Sequence, residues 1–311
     1  MSRLHGSPHD IHRDREAIRQ HYDRAAPLCA LFLDPSRTYS CAYFPSGNES
    51  LEQAQEAKND LICRKLGLSP RERFLDIGCG WGALMLHARS RYGVRALGTT
   101  LSDEQLGHVQ RAIAALSPEP EIAVRLLDYR ELGPEHGFDK VASIGMMEHV
   151  GAKHLHHYFD AVYRVLRPGG LFLNHAIASL PGHESTLPWL TTRGGGFIDS
   201  HIFPDGELPP IHEVVSAAEQ AGFEIRDLES WREHYALTLQ HWFARLHARR
   251  DEATRIAGSE MTRAFMLYLA GSIVAFRRGE ISVFQLLLAK RDQAGKAEGL
   301  PRCRADWYRP V

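Results

Sequence analysis

The sequence predicts an α/β fold in which seven strands form a mostly parallel sheet with helices on both faces. Short apolar strands alternate with helical segments from Arg73 onward, and such alternation is typical of parallel sheets covered by helices. A Gly-rich turn, residues 78–82, directly follows the first strand. The chain has 311 residues, of which 44% are apolar and 24% charged. These values suit one elaborated globular domain with a sizeable core.

Helices are expected ahead of the sheet, in an N-terminal cap formed by residues 1–68. An apolar segment at 28–32 precedes a loop at 34–48 and a helix at 50–66. Ser50 followed by Gln53 has the spacing of a capping box, and Gly67 is a typical residue to end a helix. The cap is therefore predicted to be mainly helical.

The core is expected to occupy residues 69–311 and to carry two additions, within a single elaborated domain. The predicted strands are 74–77, 94–98, 122–127, 140–144, 171–175, 223–228 and 283–289. A Gly- and Pro-rich segment at 181–210 follows the fifth strand and has the composition of a flexible loop or lid. A helical segment rich in Arg and Ala, 237–276, is expected as an insertion before the last strand.

The composition argues against several classes of protein. There are 37 basic and 38 acidic residues, so the net charge is −1 and no positive field attracts nucleic acid. Five cysteines without CxxC spacing favour reduced thiols in the cytoplasm over a disulfide framework or a zinc site. No segment reaches the roughly 18 consecutive apolar residues that span a bilayer, and the N-terminus has no signal-peptide core. Membrane contact is expected only as peripheral binding at the inner face.

The strongest local motif is Asp76-Ile77-Gly78-Cys79-Gly80-Trp81-Gly82, between a predicted strand and a predicted helix. Glycines let the backbone approach a ligand closely, and a helix N-terminus offers free N–H groups. A nucleotide-like cofactor is therefore expected there. The spacing is GxGxG rather than GxGxxG, and no acid follows Gly98 closely, which weakens the case for a dinucleotide. The motif resembles the S-adenosylmethionine site of Rossmann-like methyltransferases.

Five more motifs occur in the order found in cyclopropane-fatty-acyl-phospholipid synthases and mycolic acid cyclopropane synthases. They are TYSCAYF at 38–44, TLSDEQ at 100–105, EHVG at 148–151, PGGLF at 168–172 and IFPDGELP at 202–209. The similarity runs from residue 21 to residue 290, so the chain resembles this family over most of its length. The resemblance implies a class I methyltransferase fold with a helical insertion before the last strand.

The same resemblance implies two sets of site residues. Those expected to hold S-adenosylmethionine are Tyr39, Ser40, Asp76, Gly78, Cys79, Gly80, Trp81, Gly82, Thr100, Leu101, Gln105 and Tyr129. Those expected to hold a bound bicarbonate are Cys41, Glu148, His175, Ile177 and Tyr235. The implied reaction transfers a methylene group to the cis double bond of an unsaturated acyl chain, and the expected carrier of that chain is a phospholipid. Ring closure needs a base in a water-excluding cavity, and bicarbonate would be that base.

Other interpretations of these residues stay open. Taken singly, His175 also fits a core histidine and Cys41 a small buried apolar residue. The His154, His156 and His157 group lacks a metal-site pattern and fits a solvated helix face better, so no metal is expected. Arginines of the insertion suit either solvent or anionic headgroups. The product could instead be a methyl or methylene branch, the acceptor a small molecule methylated at carbon or nitrogen, or the protein a catalytically silent binder.

The chain also departs from the family pattern near the expected acceptor site. Residues 26–29 read Ala-Pro-Leu-Cys where relatives commonly have polar and aromatic residues. Ser272 replaces a cysteine of the mycolic acid enzymes, and Phe265-Met266 replaces a Trp-Arg pair. The identity of the acceptor, the acyl carrier and the formation of a homodimer therefore remain undecided by the sequence.

Overall fold

The computed structural model describes residues 9–116, 121–180, 202, 205–297 and 299–308, except for the side chains of Gln20, His21 and Arg24. Seven strands form one sheet in the order β3-β2-β1-β4-β5-β7-β6. The strands β1 to β5 pair in parallel, and β7 runs antiparallel between β5 and β6. The predicted seven-stranded, mostly parallel sheet is confirmed.

The strands lie close to their predicted positions, with one clear difference. They are β1 Arg73–Ile77, β2 Arg95–Thr100, β3 Ile122–Leu126, β4 Phe138–Ile144, β5 Leu166–Ser179, β6 Glu224–Ser230 and β7 Ile281–Ala289. The prediction of 171–175 for the fifth strand was too short. Its far half, to Ser179, pairs with β7 beyond the end of β4, and Pro168-Gly169-Gly170 lies within the strand near a register shift.

Nine helices are described outside the short 3-10 turns. They are α1 Ile11–Cys29, α2 Leu51–Lys65, α3 Ala83–Tyr92, α4 Asp103–Ala114, α5 Leu155–Val165, α6 Ile211–Gln220, α7 Arg232–Ala248, α8 Arg250–Arg278 and α9 Ala305–Tyr308. The capping box is present: Gln53 N donates to Ser50 Oγ at 3.2 Å, and Ser50 N donates to Gln53 Oε1 at 2.9 Å. The predicted insertion at 237–276 is two helices, with a further break at Gly258 (φ +82°).

The core lies on both faces of the sheet. One buried cluster contains residues of α1, α2, α7 and α8, and the other contains residues of α5 and α6. Phe32, just after α1, contacts Trp242 of α7 and Phe265 of α8, with ring centroids 6.0 and 6.2 Å apart. The cap and the insertion therefore pack together over the same face. Most of the predicted lid at 181–210 lies outside the described residues.

Candidate active site

A cavity opens at the carboxyl ends of β1, β2 and β4, directly above the glycine-rich turn. Eleven of the twelve predicted cofactor residues line it: Tyr39, Ser40, Asp76, Gly78, Cys79, Gly80, Trp81, Thr100, Leu101, Gln105 and Tyr129. The twelfth, Gly82, caps the N-terminus of α3. In open α/β sheets this edge of the strands is the usual place for ligands. We call it the cofactor cavity.

The turn between β1 and α3 depends on its glycines. Gly80 has φ +54°, and a Cβ placed on it would meet no atom within 4 Å. Gly82 has φ +86°, and its Cβ would approach Val109 of α4 to 3.0 Å. Positive φ is costly for residues with a side chain. Gly80 therefore keeps the cavity open, whereas Gly82 allows close packing of the two helices.

A polar pair formed by the end of β2 and the first turn of α4 faces the same cavity. Thr100 Oγ1 donates to Gln105 Oε1 at 2.6 Å, while Gln105 N donates to Ser102 Oγ at 3.1 Å. The second bond is the N-cap of α4. These contacts fix the Gln105 amide with its oxygen already engaged, so its N–H groups are the ones left to meet a ligand.

The cavity also contains residues that no sequence motif indicated. Asp14 and Tyr22 of α1, Lys58 of α2 and His149 lie in its wall. They are remote in sequence from the glycine motif, so no local pattern joins them to it. The sequence does indicate that Lys58 is buried, because helical periodicity places it on the face of α2 that also carries buried Leu51, Ala54 and Ile62. A lysine at such a position has to meet a partner inside the protein.

Asp76 is buried at the end of β1, with 2% of its surface exposed. Burial raises the pKa of its carboxyl to about 7, although the positive charge of Lys58 acts in the opposite direction. Its Oδ2 atom is buried and has no hydrogen-bond partner among the described residues. The cofactor cavity therefore has an acceptor oxygen ready for a donor.

The five residues predicted to hold bicarbonate are brought together beside this cavity, and we call them the polar cluster: Cys41, Glu148, His175, Ile177 and Tyr235. The structure does not place any of the five in the described wall of the cofactor cavity. The two sites adjoin through Gly145, which lines the cavity and donates its N–H to His175 O at 2.8 Å.

Glu148 is anchored through one of its two carboxyl oxygens. Its Oε1 accepts the Ile177 N–H at 2.8 Å, and its Oε2 is buried without a partner among the described residues. Burial raises the pKa of Glu148 to about 7, against the lowering effect of the Ile177 bond. A carboxyl group with this pKa can be protonated near neutral pH and then donate from Oε2.

His175 presents a second unpartnered atom to the same region. Its Nδ1 lies 3.2 Å from Gln285 Nε2, and its buried Nε2 has no partner in the part of the chain that is described. Burial, together with the charges of Lys58 and Lys65, holds the pKa of His175 well below its usual range. With Nδ1 accepting from the Gln285 amide, the neutral ring carries its proton on Nε2.

Cys41 and Tyr235 complete the cluster from the cap and the insertion. Cys41 is fully buried, and its Sγ lies 3.3 Å from Ala42 O. Burial raises the pKa of Tyr235 well above its usual range, and the nearby Tyr268, Cys41 and Glu148 act in the same direction. Burial raises the pKa of the Cys41 thiol as well, so these two side chains remain neutral and offer hydrogen bonds without negative charge.

An aromatic wall closes the cluster from the side of the helical cap and insertion. Its members are Phe32, Tyr39, Tyr235, Trp242, Phe265, Tyr268 and Phe276. Tyr235 and Phe276 have ring centroids 4.6 Å apart, and Tyr39 and Trp242 are 5.2 Å apart. Three departures from the family pattern lie at this wall, since Phe265 is one of its members and both Cys29 and Ser272 act on Tyr268. The wall can hold an apolar acceptor and exclude water.

Other candidate features have a structural explanation. His156 pairs with Asp160 at 3.1 Å on the exposed side of α5, and the described residues contain no group of three or more ligands placed to hold a metal ion. All five cysteines are unpaired. No helix among the described ranges is long and apolar enough to cross a membrane.

Comparison with known protein families agrees with this geometry. The family model for mycolic acid cyclopropane synthetase matches residues 9–286. A Pseudomonas putida protein named "Probable fatty acid methyltransferase" is 40% identical over 302 residues, which cover 97% of this chain and 75% of that protein. Cyclopropane mycolic acid synthase 3 of Mycobacterium tuberculosis is 38% identical over 278 residues, 88% of this chain and 96% of the relative.

Solved structures show the same similarity in three dimensions. The cyclopropane synthase MmaA2 from Mycobacterium tuberculosis superimposes with a TM-score of 0.83 at 36% identity, covering 89% of this chain and 98% of that one. The mycolic acid cyclopropane synthase CmaA1, solved with SAH and CTAB, gives 0.81 at 36% identity, with 88% and 97% covered. A coclaurine N-methyltransferase at 19% identity shares the fold alone.

Proposed function

The chain belongs to the mycolic acid cyclopropane synthetase family of S-adenosylmethionine-dependent methyltransferases, and from that premise we propose that it cyclopropanates an unsaturated fatty acyl chain. The observation that carries the proposal is the position of the polar cluster, between the cofactor cavity and the aromatic wall. Buried hydrogen-bonding groups beside aromatic side chains suit a reaction that removes a proton from a hydrocarbon.

The residues of the cofactor cavity fit S-adenosylmethionine. Open space above Gly80 admits a ligand against the backbone, and the unpartnered Asp76 Oδ2 suits its ammonium group. Gln105 N–H groups remain to meet ribose hydroxyls, and Tyr129 offers a ring to the base. When bound, the cofactor supplies an electrophilic methyl group. The chain itself has to orient that group toward the acyl chain and keep water away.

The polar cluster fits a small bound bicarbonate. Two buried atoms lack partners, Glu148 Oε2 and His175 Nε2, and both can donate when their side chains are neutral. Tyr235 and the backbone at Cys41 and Ile177 would complete the set. Bicarbonate held there would supply the base for the proton lost on ring closure. A neutral Glu148 avoids the repulsion that a second anion would cause.

The aromatic wall is proposed to hold the acyl chain. Methyl transfer to a cis alkene leaves positive charge on the chain, and the faces of aromatic rings stabilise a cation. Tyr235 belongs to both the wall and the polar cluster. A cation formed against the wall would therefore lie next to the site of proton removal. The protein excludes water from this region, because water would otherwise react with the cation.

The membrane contact of this protein is proposed to use the outer face of α8. Leu267 and Val274 are 43% and 39% exposed and lie seven residues apart, on one face of the helix. Arg263 precedes them, and Arg277 and Arg278 follow. Apolar residues between arginines suit an anionic lipid surface. A second copy packed on the same face would bring like charges together.

A methyl-branched product is the second candidate, because the Pseudomonas putida relative is named a fatty acid methyltransferase. Mass spectrometry of lipid extracts from cells with and without the protein tests both. The proposal expects acyl chains with one added carbon that have lost a double bond, and proton NMR of the same extracts should show cyclopropane protons. Branched chains instead would favour the second candidate, and methylated small molecules without altered lipids would contradict both.

Removing dissolved carbon dioxide tests the bicarbonate proposal separately. Turnover of the wild-type protein is expected to fall when bicarbonate is depleted and to recover when it is restored. Affinity for S-adenosylhomocysteine should not change, since the cluster lies outside the cofactor cavity. A rate indifferent to bicarbonate would favour simple methyl transfer.

A further inference from the structure

A buried lysine and a buried aspartate face the same cavity from different elements. Lys58 of α2 and Asp76 at the end of β1 are each 2% exposed, and both line the cofactor cavity. A charge removed from water is costly unless it is paired. Each of the two groups therefore needs a partner in the working protein.

Lys58 has only part of its bonding capacity filled. Its Nζ donates to Ser40 Oγ at 3.2 Å, and an ammonium group has three N–H donors. Of the carboxylates that act on it electrostatically, Asp34 already accepts the backbone N–H groups of Ser36 and Thr38 at 2.9 Å. The N–H groups left on Lys58 are therefore available to an anion in the cavity.

Asp76 has an unused hydrogen-bond acceptor, whereas Lys58 has unused donors. One side of its carboxylate is held by the Met85 N–H, and Oδ2 has no partner in the described structure. No ion pair within 4.0 Å joins Asp76 to Lys58 among the described residues. The two opposite charges are thus close enough to influence each other, but they are not bonded to each other.

We propose that Lys58 and Asp76 form a binding site for the zwitterionic amino-acid end of the cofactor. Lys58, with Ser40, binds the carboxylate, and Asp76 Oδ2 binds the ammonium group. Thr100 at the end of β2, Gln105 in α4 and Tyr129 after β3 remain for the nucleoside end. This assignment rests on the proposed function, because both S-adenosylmethionine and S-adenosylhomocysteine carry this end.

Two ligands that differ only at that end separate the assignment from a general effect on the fold. The purified full chain is titrated calorimetrically with S-adenosylhomocysteine and with 5′-methylthioadenosine, a nucleoside thioether without the amino-acid group. Lys58→Met removes the charge and keeps the length of the side chain. We expect it to weaken S-adenosylhomocysteine binding about 10- to 100-fold, as for loss of a charged hydrogen bond, while methylthioadenosine binding stays unchanged.

Lys58→Gln, which keeps a polar group for Ser40, should show the same selective loss. Unchanged S-adenosylhomocysteine affinity in both variants would overturn the assignment. Equal loss for both ligands would also overturn it, since that result indicates a structural role. A wild-type protein that binds neither ligand would contradict the proposed function itself. Failure of the proposed function can therefore be told apart from failure of the assignment of Lys58.

Discussion

At the residue scale, the burial of single atoms decides what the polar cluster can do. Glu148 Oε1 is held by the Ile177 N–H, so its Oε2 is the oxygen that can meet a ligand. His175 is fixed in a similar way through Gln285. Burial lowers the pKa of the imidazole, which is therefore neutral at pH 7, and raises the pKa of the carboxyl to about 7, so a protonated fraction is present there.

The variant Glu148→Gln keeps the shape of the side chain and its oxygen for Ile177. It replaces a group that can donate or release a proton by one that cannot release it. Turnover is expected to fall about 10²- to 10⁴-fold, in the range for groups that assist proton transfer. Initial rates and calorimetry on the same preparation check this. Affinity for S-adenosylhomocysteine should be nearly unchanged, and normal turnover would count against the polar cluster as the reaction site.

The pH dependence of cofactor binding follows from Asp76 and Lys58. Burial raises the pKa of Asp76 to about 7 and lowers that of Lys58 to about 8. Below about 7 the carboxyl is protonated and loses its attraction for an ammonium group. Above about 8 the lysine loses its charge. S-adenosylhomocysteine affinity is therefore expected to be highest between these values, when both groups are charged.

Two variants show which residue causes the loss of affinity on each side of that pH range. Asp76→Asn should remove the change on the acid side, and Lys58→Met the change on the alkaline side. The other charged or titratable groups that act on Lys58 are Asp34, Cys41 and Cys63, and none of them is replaced. Calorimetric titrations across the pH range measure the effect. A profile that is flat in the wild type would contradict the assignment of both groups.

At the scale of elements, the sequence predicted which helices and strands are present better than it predicted where they begin and end. The capping box places the start of α2 because Ser50 and Gln53 act locally. The far half of β5 depends on pairing with β7, about a hundred residues later, so a local pattern ends it too early. The break at Gly258 lies inside a helical composition that looks continuous. A sequence pattern indicates the end of a helix or strand when hydrogen bonds between neighbouring residues determine that end. It does not indicate an end that depends on pairing with residues far away in the sequence.

The outer face of α8 gives a prediction at the same scale. Leu267→Glu and Val274→Glu together place two negative charges on the exposed apolar face. We expect the double variant to lose binding to vesicles that contain anionic phospholipid, because it removes apolar contact and adds repulsion. Co-sedimentation measures the bound fraction.

Leu116→Glu is the matched control for this variant, since Leu116 is 41% exposed at the end of α4. It should bind vesicles as the wild type does. Vesicles of neutral phospholipid alone should bind the wild type less strongly. Equal binding by all three proteins would exclude this face of α8 as the lipid contact.

At the scale of the whole molecule, the fold brings together residues that no local pattern connects. The glycine loop could be recognised because strand, turn and helix are consecutive in the sequence. The polar cluster joins the cap, the ends of β4 and β5, and α7, and it was predicted only through the ordered motifs of a family. No motif indicated Lys58 or the aromatic wall as site features, because Lys58 depends on how the cap packs against the sheet and the wall on how the cap packs against the insertion.

Cyclopropane formation can be distinguished from simple methyl transfer by the hydrogens that the transferred carbon keeps. The purified protein is incubated with S-adenosylmethionine carrying a trideuterated methyl group and with vesicles of a cis-unsaturated phospholipid. Mass spectrometry and proton NMR then follow the acyl chain. We expect the double bond to be lost and two of the three deuterons to remain, since one leaves on ring closure. A product that keeps all three deuterons, or no altered lipid at all, would contradict it.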